Sequence, residues 1–280
     1  MTKIIDGKQL ASEIRAELKK ETIQLKQKGI TPRLAVILVG DDDASKIYVK
    51  NKSLACAEVG IEYEEHILKN TIQQKELLNL IEELNNKKKV TGILLQSPIP
   101  KNLDIQEAFQ KISPKKDVDG FNPINIGMML INRETFIPCT PLGIIKMLEA
   151  NNIKISGKNV VVIGRSNIVG KPMAQALINR DATVTVTHSK TRNLEQITKQ
   201  ADIIISAVGK SKFVTRDMVK ENAVVIDVGM NRDIKTGKLC GDVDFENVKD
   251  KTSYITPVPG GVGPMTIAML MSNVIKGATK

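Results

Sequence analysis

Two stretches of the sequence place chemically capable side chains at spacings that a fold can use. In Tyr48-Val49-Lys50-Asn51-Lys52 a tyrosine and a lysine stand four residues apart, and Cys56 follows four further on, so on a helix the three share one face. A lysine in such a place can move a proton near neutral pH only if burial or a neighbouring cation lowers its pKa; a lone helix lysine is ordinarily a solvated one. Gln96, in Leu95-Gln96-Ser97-Pro98, closes a run of strand character. The segment Lys116-Asp117-Val118-Asp119-Gly120-Phe121 carries two carboxylates in what reads equally well as a turn. In the second stretch, the apolar run Val160 to Ile163 stops at Gly164, turns through Arg165-Ser166-Asn167 and reopens at Gly170 as the start of a helix. A strand, a glycine turn and a helix N-terminus together offer free backbone N–H groups and the positive end of a helix dipole to a phosphate. The fingerprint is imperfect: Ser166 stands at the second glycine of G-x-G-x-x-G, and the third falls one place late.

The elements that must position these residues follow from periodicity and breakers. Apolar residues at Leu10, Ile14, Leu18 and Leu25 predict a helix ended by Gly29, and Thr31-Pro32 precedes a strand over Leu34 to Val39. A helix from Ala44 to Val59 stops at Gly60; a strand over 61–68, an amphipathic helix over 71–84 and a strand over 90–95 come next. Strands alternating with helices imply a parallel sheet, whose ligands lie beyond the carboxyl ends of its strands. That rule brings Gln96 and the Tyr48/Lys52 face into one neighbourhood. Ile137-Pro138-Cys139-Thr140-Pro141 marks a domain crossing, with Pro141 placed to begin a helix to about Ala150. Beyond the glycine turn, strands at 183–187, 202–207 and 223–228, with a helix near 194–199, form the succession expected of a nucleotide-binding sheet. The chain closes on Pro257-Val258-Pro259-Gly260-Gly261-Val262-Gly263-Pro264-Met265-Thr266, rigid and open to close backbone approach, and then an apolar helix to about Ile275.

Composition narrows the class. A chain of 280 residues can build two cores, and no apolar run is long enough for a membrane span. Its N-terminus lacks the apolar stretch of a signal peptide, so a cytoplasmic protein is expected. Cys56, Cys139 and Cys240 are far apart, with no spacing for zinc or a disulfide framework, and read as small buried hydrophobes. The net charge of +10 invites a nucleic-acid reading. Against it, only 8 of the 41 basic residues are arginine, they are scattered, and aromatics are scarce, so no nucleic-acid partner is expected.

In a dinucleotide-binding sheet, the residue after the second strand meets the adenosine ribose, and an acid there favours NAD. Thr187-His188-Ser189-Lys190-Thr191-Arg192 has no acid, two cations and several hydroxyls, and Arg165 stands in the glycine turn. The expected cofactor is NADP. His188 reads as a neutral histidine near the adenosine rather than as a catalytic acid.

Taken together, Tyr48 to Lys52, Leu95 to Pro98, Lys116 to Phe121, Gly164-Arg165-Ser166 with Val169-Gly170-Lys171-Pro172, and Pro257 to Thr266 resemble the bifunctional methylenetetrahydrofolate dehydrogenase/methenyltetrahydrofolate cyclohydrolase family, in order and over nearly the whole chain. The resemblance implies an α/β protein of two domains around a cleft. Residues 1–138 with 266–280 would form a folate-binding catalytic domain with a parallel sheet, and 139–265 a Rossmann-type NADP-binding domain. It implies hydride transfer from 5,10-methylenetetrahydrofolate to NADP, then hydrolysis of the methenyl cation to 10-formyltetrahydrofolate, without a metal. By the same likeness Lys52 assists water attack and Gln96 holds it. Tyr48 stacks on the folate, Asp119 receives the pterin's donor edge, and Asp117 is structural. Pro259, Gly260 and Gly261 would line the folate site, while Gly164, Arg165, Ser166, Ser189 and Met230 hold NADP. The sequence departs from the family pattern at Ser97, where leucine is common, and at Met230, where isoleucine is common. A homodimer through the nucleotide domain, and a place in the one-carbon metabolism that serves purine biosynthesis, come with the resemblance. The rivals are a dehydrogenase without cyclohydrolase activity and a basic nucleic-acid-binding protein on a nucleotide fold.

Overall fold

The computed structural model describes residues 2–233 and 236–279. In chain order its first elements are β1 (Lys3–Ile4), α1 (Gly7–Gln27), β2 (Arg33–Val39), α2 (Asp43–Val59), β3 (Glu62–Leu68), α3 (Gln74–Asn86), β4 (Gly92–Leu95), α4 (Ile105–Lys111), α5 (Pro123–Leu130) and α6 (Cys139–Ala150). There follow β5 (Asn159–Ile163), α7 (Gly170–Ile178), β6 (Thr183–Thr187), α8 (Leu194–Thr198), β7 (Ile203–Ser206), β8 (Ala223–Asp227), β9 (Asn231–Arg232), β10 (Leu239–Cys240), α9 (Phe245–Val248), β11 (Thr252–Ile255) and α10 (Val262–Ala278). The chain divides into two compact units, Ser12–Cys139 with Ile267–Lys280, and Met1–Ala11 with Thr140–Thr266.

The first unit is built on a three-stranded parallel sheet in the order β3-β2-β4. Its central strand β2 reads Leu-Ala-Val-Ile-Leu-Val after Arg33 and is buried along that whole run, the pattern of a parallel strand covered on both faces. Edge strand β3 carries Glu62, Glu64, Glu65 and His66, and Glu64 is paired with Arg33 at 3.2 Å and Lys87 at 2.9 Å, charges that discourage another strand from pairing there. Helix α3 starts in a capping box in which Gln73 N donates to Glu76 Oε2 at 2.8 Å. It buries Leu77, Ile81 and Leu84, at helical spacing, against Ile37, Ile93 and Leu95; each such side chain stabilises the fold by roughly 1.5–3 kcal/mol.

The second unit holds a six-stranded parallel sheet in the order β1-β11-β8-β7-β5-β6. Its core packs Val161, Ile163, Ile204, Val225 and Ile255 against Val214, Val219 and Val248. Residues 1–11, which the sequence reading groups with the folate domain, are in this unit because β1 pairs in parallel with β11, Lys3 opposite Tyr254 and Ile4 opposite Ile255. Two residues are too short a run for a periodicity signal. An antiparallel pair, β9 with β10, was likewise not legible.

Each sheet reverses its winding direction once. In the three-stranded sheet β2 is flanked by β3 and β4; in the six-stranded sheet β5 is flanked by β6 and β7. The carboxyl ends beside such a reversal are where open parallel sheets bind ligands.

Candidate active site

Helix α2 leaves the carboxyl end of β2. Asp42 caps it by accepting from Ser45 N at 2.8 Å, and Gly60 ends it in the left-handed conformation. Tyr48 and Lys52 are half-buried on it. Gln96 follows β4 directly, 6% exposed, with its backbone N–H donated to Ile37 O at 2.9 Å. Lys52 Nζ donates to Gln96 Oε1 at 2.7 Å, and Gln96 Nε2 donates to Ser97 O at 2.7 Å, so both ends of the amide are used and its orientation is set.

Asp119 reaches the same group of residues from a loop built to hold it. Lys116 Nζ donates to Leu84 O, Asn85 O and Lys87 O at 2.7–3.0 Å, satisfying carbonyls at the end of α3. Buried Asp117 accepts from Gly120 N, Phe121 N, Asn122 N and Asn125 Nδ2 at 2.7–3.1 Å, closing the turn around Asp119. Burial pushes the Asp117 carboxyl up to about 6 against those donors. Gly120 adopts φ +79°, and a Cβ there would stand 2.7 Å from Pro138 N.

Burial also governs the reactive groups. It lowers the pKa of Lys52, which the negative charge of Asp119 and, more weakly, Cys139 and Cys56 partly offset. It raises that of Asp119, opposed by Lys52 and by a hydrogen bond from the Cys139 thiol. Cys139 is raised well above its ordinary value by burial, and Cys56, on the helix face of Lys52, is pushed up to about 12. Tyr48 is raised as well, by burial. An ammonium and a carboxylate are thus both biased toward their neutral forms, the state from which a lysine can accept a proton.

Cys139 and Asn273 are absent from the sequence-derived set. Asn273, on the apolar helix α10, donates through Nδ2 to Val118 O at 2.8 Å and Ile137 O at 3.1 Å, tying the segment before Asp119 to the segment before Cys139. A buried asparagine in an otherwise apolar helix is the signal that could have marked it. Cys56 and Cys139 are buried as expected, but Cys240 is partly exposed, 3.1 Å from Ser211 Oγ.

In the six-stranded unit the glycine turn leaves β5 at the sheet's own reversal. Gly164 has φ +121°, and a Cβ on it would lie 2.3 Å from Ala207 O; one on Gly170 would lie 2.2 Å from Gly164 O. Backbone passes this closely only where glycine permits. The expected free N–H groups at the start of α7 are partly taken: Ser166 Oγ accepts from Val169 N at 3.1 Å and Gly170 N at 3.3 Å. Ser166 thereby braces the turn that leads into α7, whose N-cap position is Val169, and its hydroxyl proton is what it can offer an anion. Arg165 and Ser166 are exposed beside the turn, and Ser189 and Arg192 are exposed beyond β6. His188 fixes that turn, its Nδ1 accepting from Lys190 N at 3.2 Å. The glycine cradle, the Ser166 hydroxyl and the acid-free, cationic end of β6 fit a phosphorylated dinucleotide. Met230 is 48% exposed. Gly260 accepts from Lys8 N at 2.9 Å, Pro259 is exposed, and a Cβ on Gly261 would lie 2.5 Å from Pro257 O. Among the described residues no group of three or more His, Cys, Asp or Glu side chains could hold a metal ion.

Comparison with known proteins gives these arrangements a family. Residues 5–119 match the tetrahydrofolate dehydrogenase/cyclohydrolase catalytic domain, and residues 138–280 match the NAD(P)-binding domain of the same family. The chain belongs to the tetrahydrofolate dehydrogenase/cyclohydrolase family. It is 55% identical over 277 residues to the bifunctional protein FolD of Bacillus cytotoxicus, covering 99% of this chain and 96% of the relative. The FolD structure from Campylobacter jejuni superposes with a TM-score of 0.98 at 52% identity, covering 100% of this chain and 99% of the other. The Trypanosoma brucei enzyme, solved with NADP and an inhibitor, superposes with a TM-score of 0.95 at 37% identity over 99% and 97% of the two chains. For this family member the two matched domains correspond to two sheets, each with its chemically capable residues at its own point of reversal.

Proposed function

We infer that the chain oxidises 5,10-methylenetetrahydrofolate to 5,10-methenyltetrahydrofolate with NADP and hydrolyses the methenyl cation to 10-formyltetrahydrofolate. The observation that carries the second activity is the 2.7 Å hydrogen bond between Lys52 and Gln96 beside Asp119, in surroundings that lower the lysine's pKa. NADP supplies the hydride acceptor. The first step generates a cation delocalised over two nitrogens, so it asks of the protein orientation rather than acid or base.

Hydrolysis asks for more. Water adds to the methenyl carbon and loses a proton, for which neutral Lys52 is the acceptor. The bond from that carbon to N5 then breaks as N5 takes a proton and the new hydroxyl gives up its own to become the formyl C=O on N10, so that the one net proton released is the one Lys52 accepted. Gln96 holds Lys52 by accepting its hydrogen bond, and the charge on Asp119 keeps the protonated lysine tolerable in a buried site. Tyr48 offers its ring to the pterin, and Asp119 a carboxylate to the pterin's amino edge. Arg165, Ser166 and Ser189 are assigned to the NADP phosphates, with Gly164 permitting close approach and Met230 providing apolar contact.

The same reading makes the protein a cytoplasmic homodimer in the one-carbon metabolism that serves purine biosynthesis. Among the described residues no helix is long and apolar enough to cross a membrane. Basic residues are dispersed over the surface, several of them paired with acids, among them Lys111 with Glu82, Lys146 with Glu149 and Lys220 with Asp202, which disfavours a continuous polyanion-binding face. The enzyme assay is direct: methylenetetrahydrofolate and NADP should give the methenyl-folate absorbance, and supplied methenyl-folate should lose it faster than in buffer. Salt-sensitive retention on a polyanion with no turnover would instead favour a nucleic-acid binder, and oxidation without hydrolysis a dehydrogenase alone.

A further inference from the structure

Two buried carboxylates in the six-stranded unit are left without a task by this reading. Asp227 ends β8 and Asp242 follows β10; they are 3% and 0% exposed. Five donors reach Asp242: Val208 N at 2.7 Å, Gly209 N at 3.2 Å, Lys210 N at 2.9 Å, Ser206 Oγ at 3.3 Å and Asn231 Nδ2 at 2.9 Å. Asp227 accepts from Gly229 N, Asp242 N and Val243 N, each at 2.9 Å. Glycine is required where the segments cross. A Cβ on Gly229 would lie 2.2 Å from Asp242 Oδ1, and one on Gly241 1.8 Å from Asp227 Oδ2.

Four of the five donors come from the end of β7 and the loop after it, beside the point where the sheet reverses, and the fifth from Asn231, the first residue of β9 after the loop that follows β8. Ala207, in the first of these loops, presents the carbonyl against which Gly164 packs. Met230, in the second, is flanked by Gly229 and Asn231, both held by the carboxylate pair. One buried carboxyl group therefore ties together the backbone on which the glycine turn rests and the loop that carries Met230.

We propose that Asp242, backed by Asp227, is a positioning residue for NADP, fixing the loops after β7 and β8 against the Gly164 turn so that the cofactor meets a preformed surface. The proposal rests on the NADP-dependent reading above. Its cost to a variant is the burial of unpaired N–H groups and the loosening of a surface the cofactor must then order.

The test is Asp242→Asn, which keeps the shape but turns an amide NH2 toward backbone donors. KM for NADP in the dehydrogenase assay is measured beside cyclohydrolase activity without NADP. The expected result is a KM for NADP raised about ten-fold or more, with hydrolysis within about two-fold of wild type. An unchanged KM overturns the proposal, and so does a parallel fall of both activities, which would leave the pair a purely structural role. Should Asp242→Asn fail to accumulate, Asn231→Ala, which removes one side-chain donor and keeps the backbone clamp, decides it. A KM for NADP raised about three-fold with hydrolysis retained supports the role, and an unmoved KM overturns it. Wild type without NADP-dependent turnover would instead overturn the functional reading itself.

Discussion

At the reversal of the three-stranded sheet stand a half-buried lysine, a buried glutamine and a carboxylate whose neighbour is a buried thiol; at the reversal of the six-stranded sheet stand a glycine, an exposed arginine and an exposed serine. Both sheets share the reversal, and the surfaces there are opposite. Proton transfer needs a group whose pKa has been moved, and burial moves it. Binding a polyanion needs close backbone approach, hydroxyls and cations that remain reachable, and the Gly164 turn supplies those. In the function proposed above, one sheet edge reacts and the other holds.

The contrast can be broken by changing either edge alone. The largest expected effect on the holding side is from Gly164→Ala, whose Cβ has no room against Ala207 O and no relaxed conformation at φ +121°. NADP-dependent oxidation should fall about 10²-fold through misplacement of the turn, while hydrolysis assayed without NADP falls far less. Equal losses in the two assays would show that the edges are not separable.

Ser189→Asp should shift the preference between NADP and NAD about ten-fold toward NAD, by repelling the 2′-phosphate. An unmoved ratio would place the 2′-phosphate chiefly on Arg165. On the reacting side, Asp119→Asn sharpens the comparison through pH. The Asp119 charge raises the pKa of Lys52, so its removal should lower that pKa further and move the rising limb of the hydrolysis profile to lower pH. A limb that stays in place would mean that Lys52 is not the titrating group.

Much of this was legible because it lies in local spacing. Tyr48 and Lys52 are four apart on a helix with a readable cap and stop, and Gln96 ends an apolar run; the parallel-sheet rule then brings them together, as the Lys52 to Gln96 hydrogen bond shows. What was hidden depends on contacts between distant segments. Cys139 looks like any small buried residue until the chain places its thiol beside Asp119, twenty positions earlier. Ser166 reads as a defect in a glycine fingerprint until its hydroxyl is seen accepting from Val169 N and Gly170 N in the turn before α7. The assignment of residues 1–11 rests on two residues of strand pairing, and the Asp227 and Asp242 clamp on segments whose meeting no periodicity encodes.

The division of labour itself is tested most directly by assaying both activities in one preparation of Lys52→Met. A methionine preserves the apolar stem and removes the proton acceptor, so hydrolysis of methenyltetrahydrofolate should fall about 10³-fold while NADP-dependent oxidation survives at least in part. Hydrolysis continuing at the wild-type rate would contradict the account.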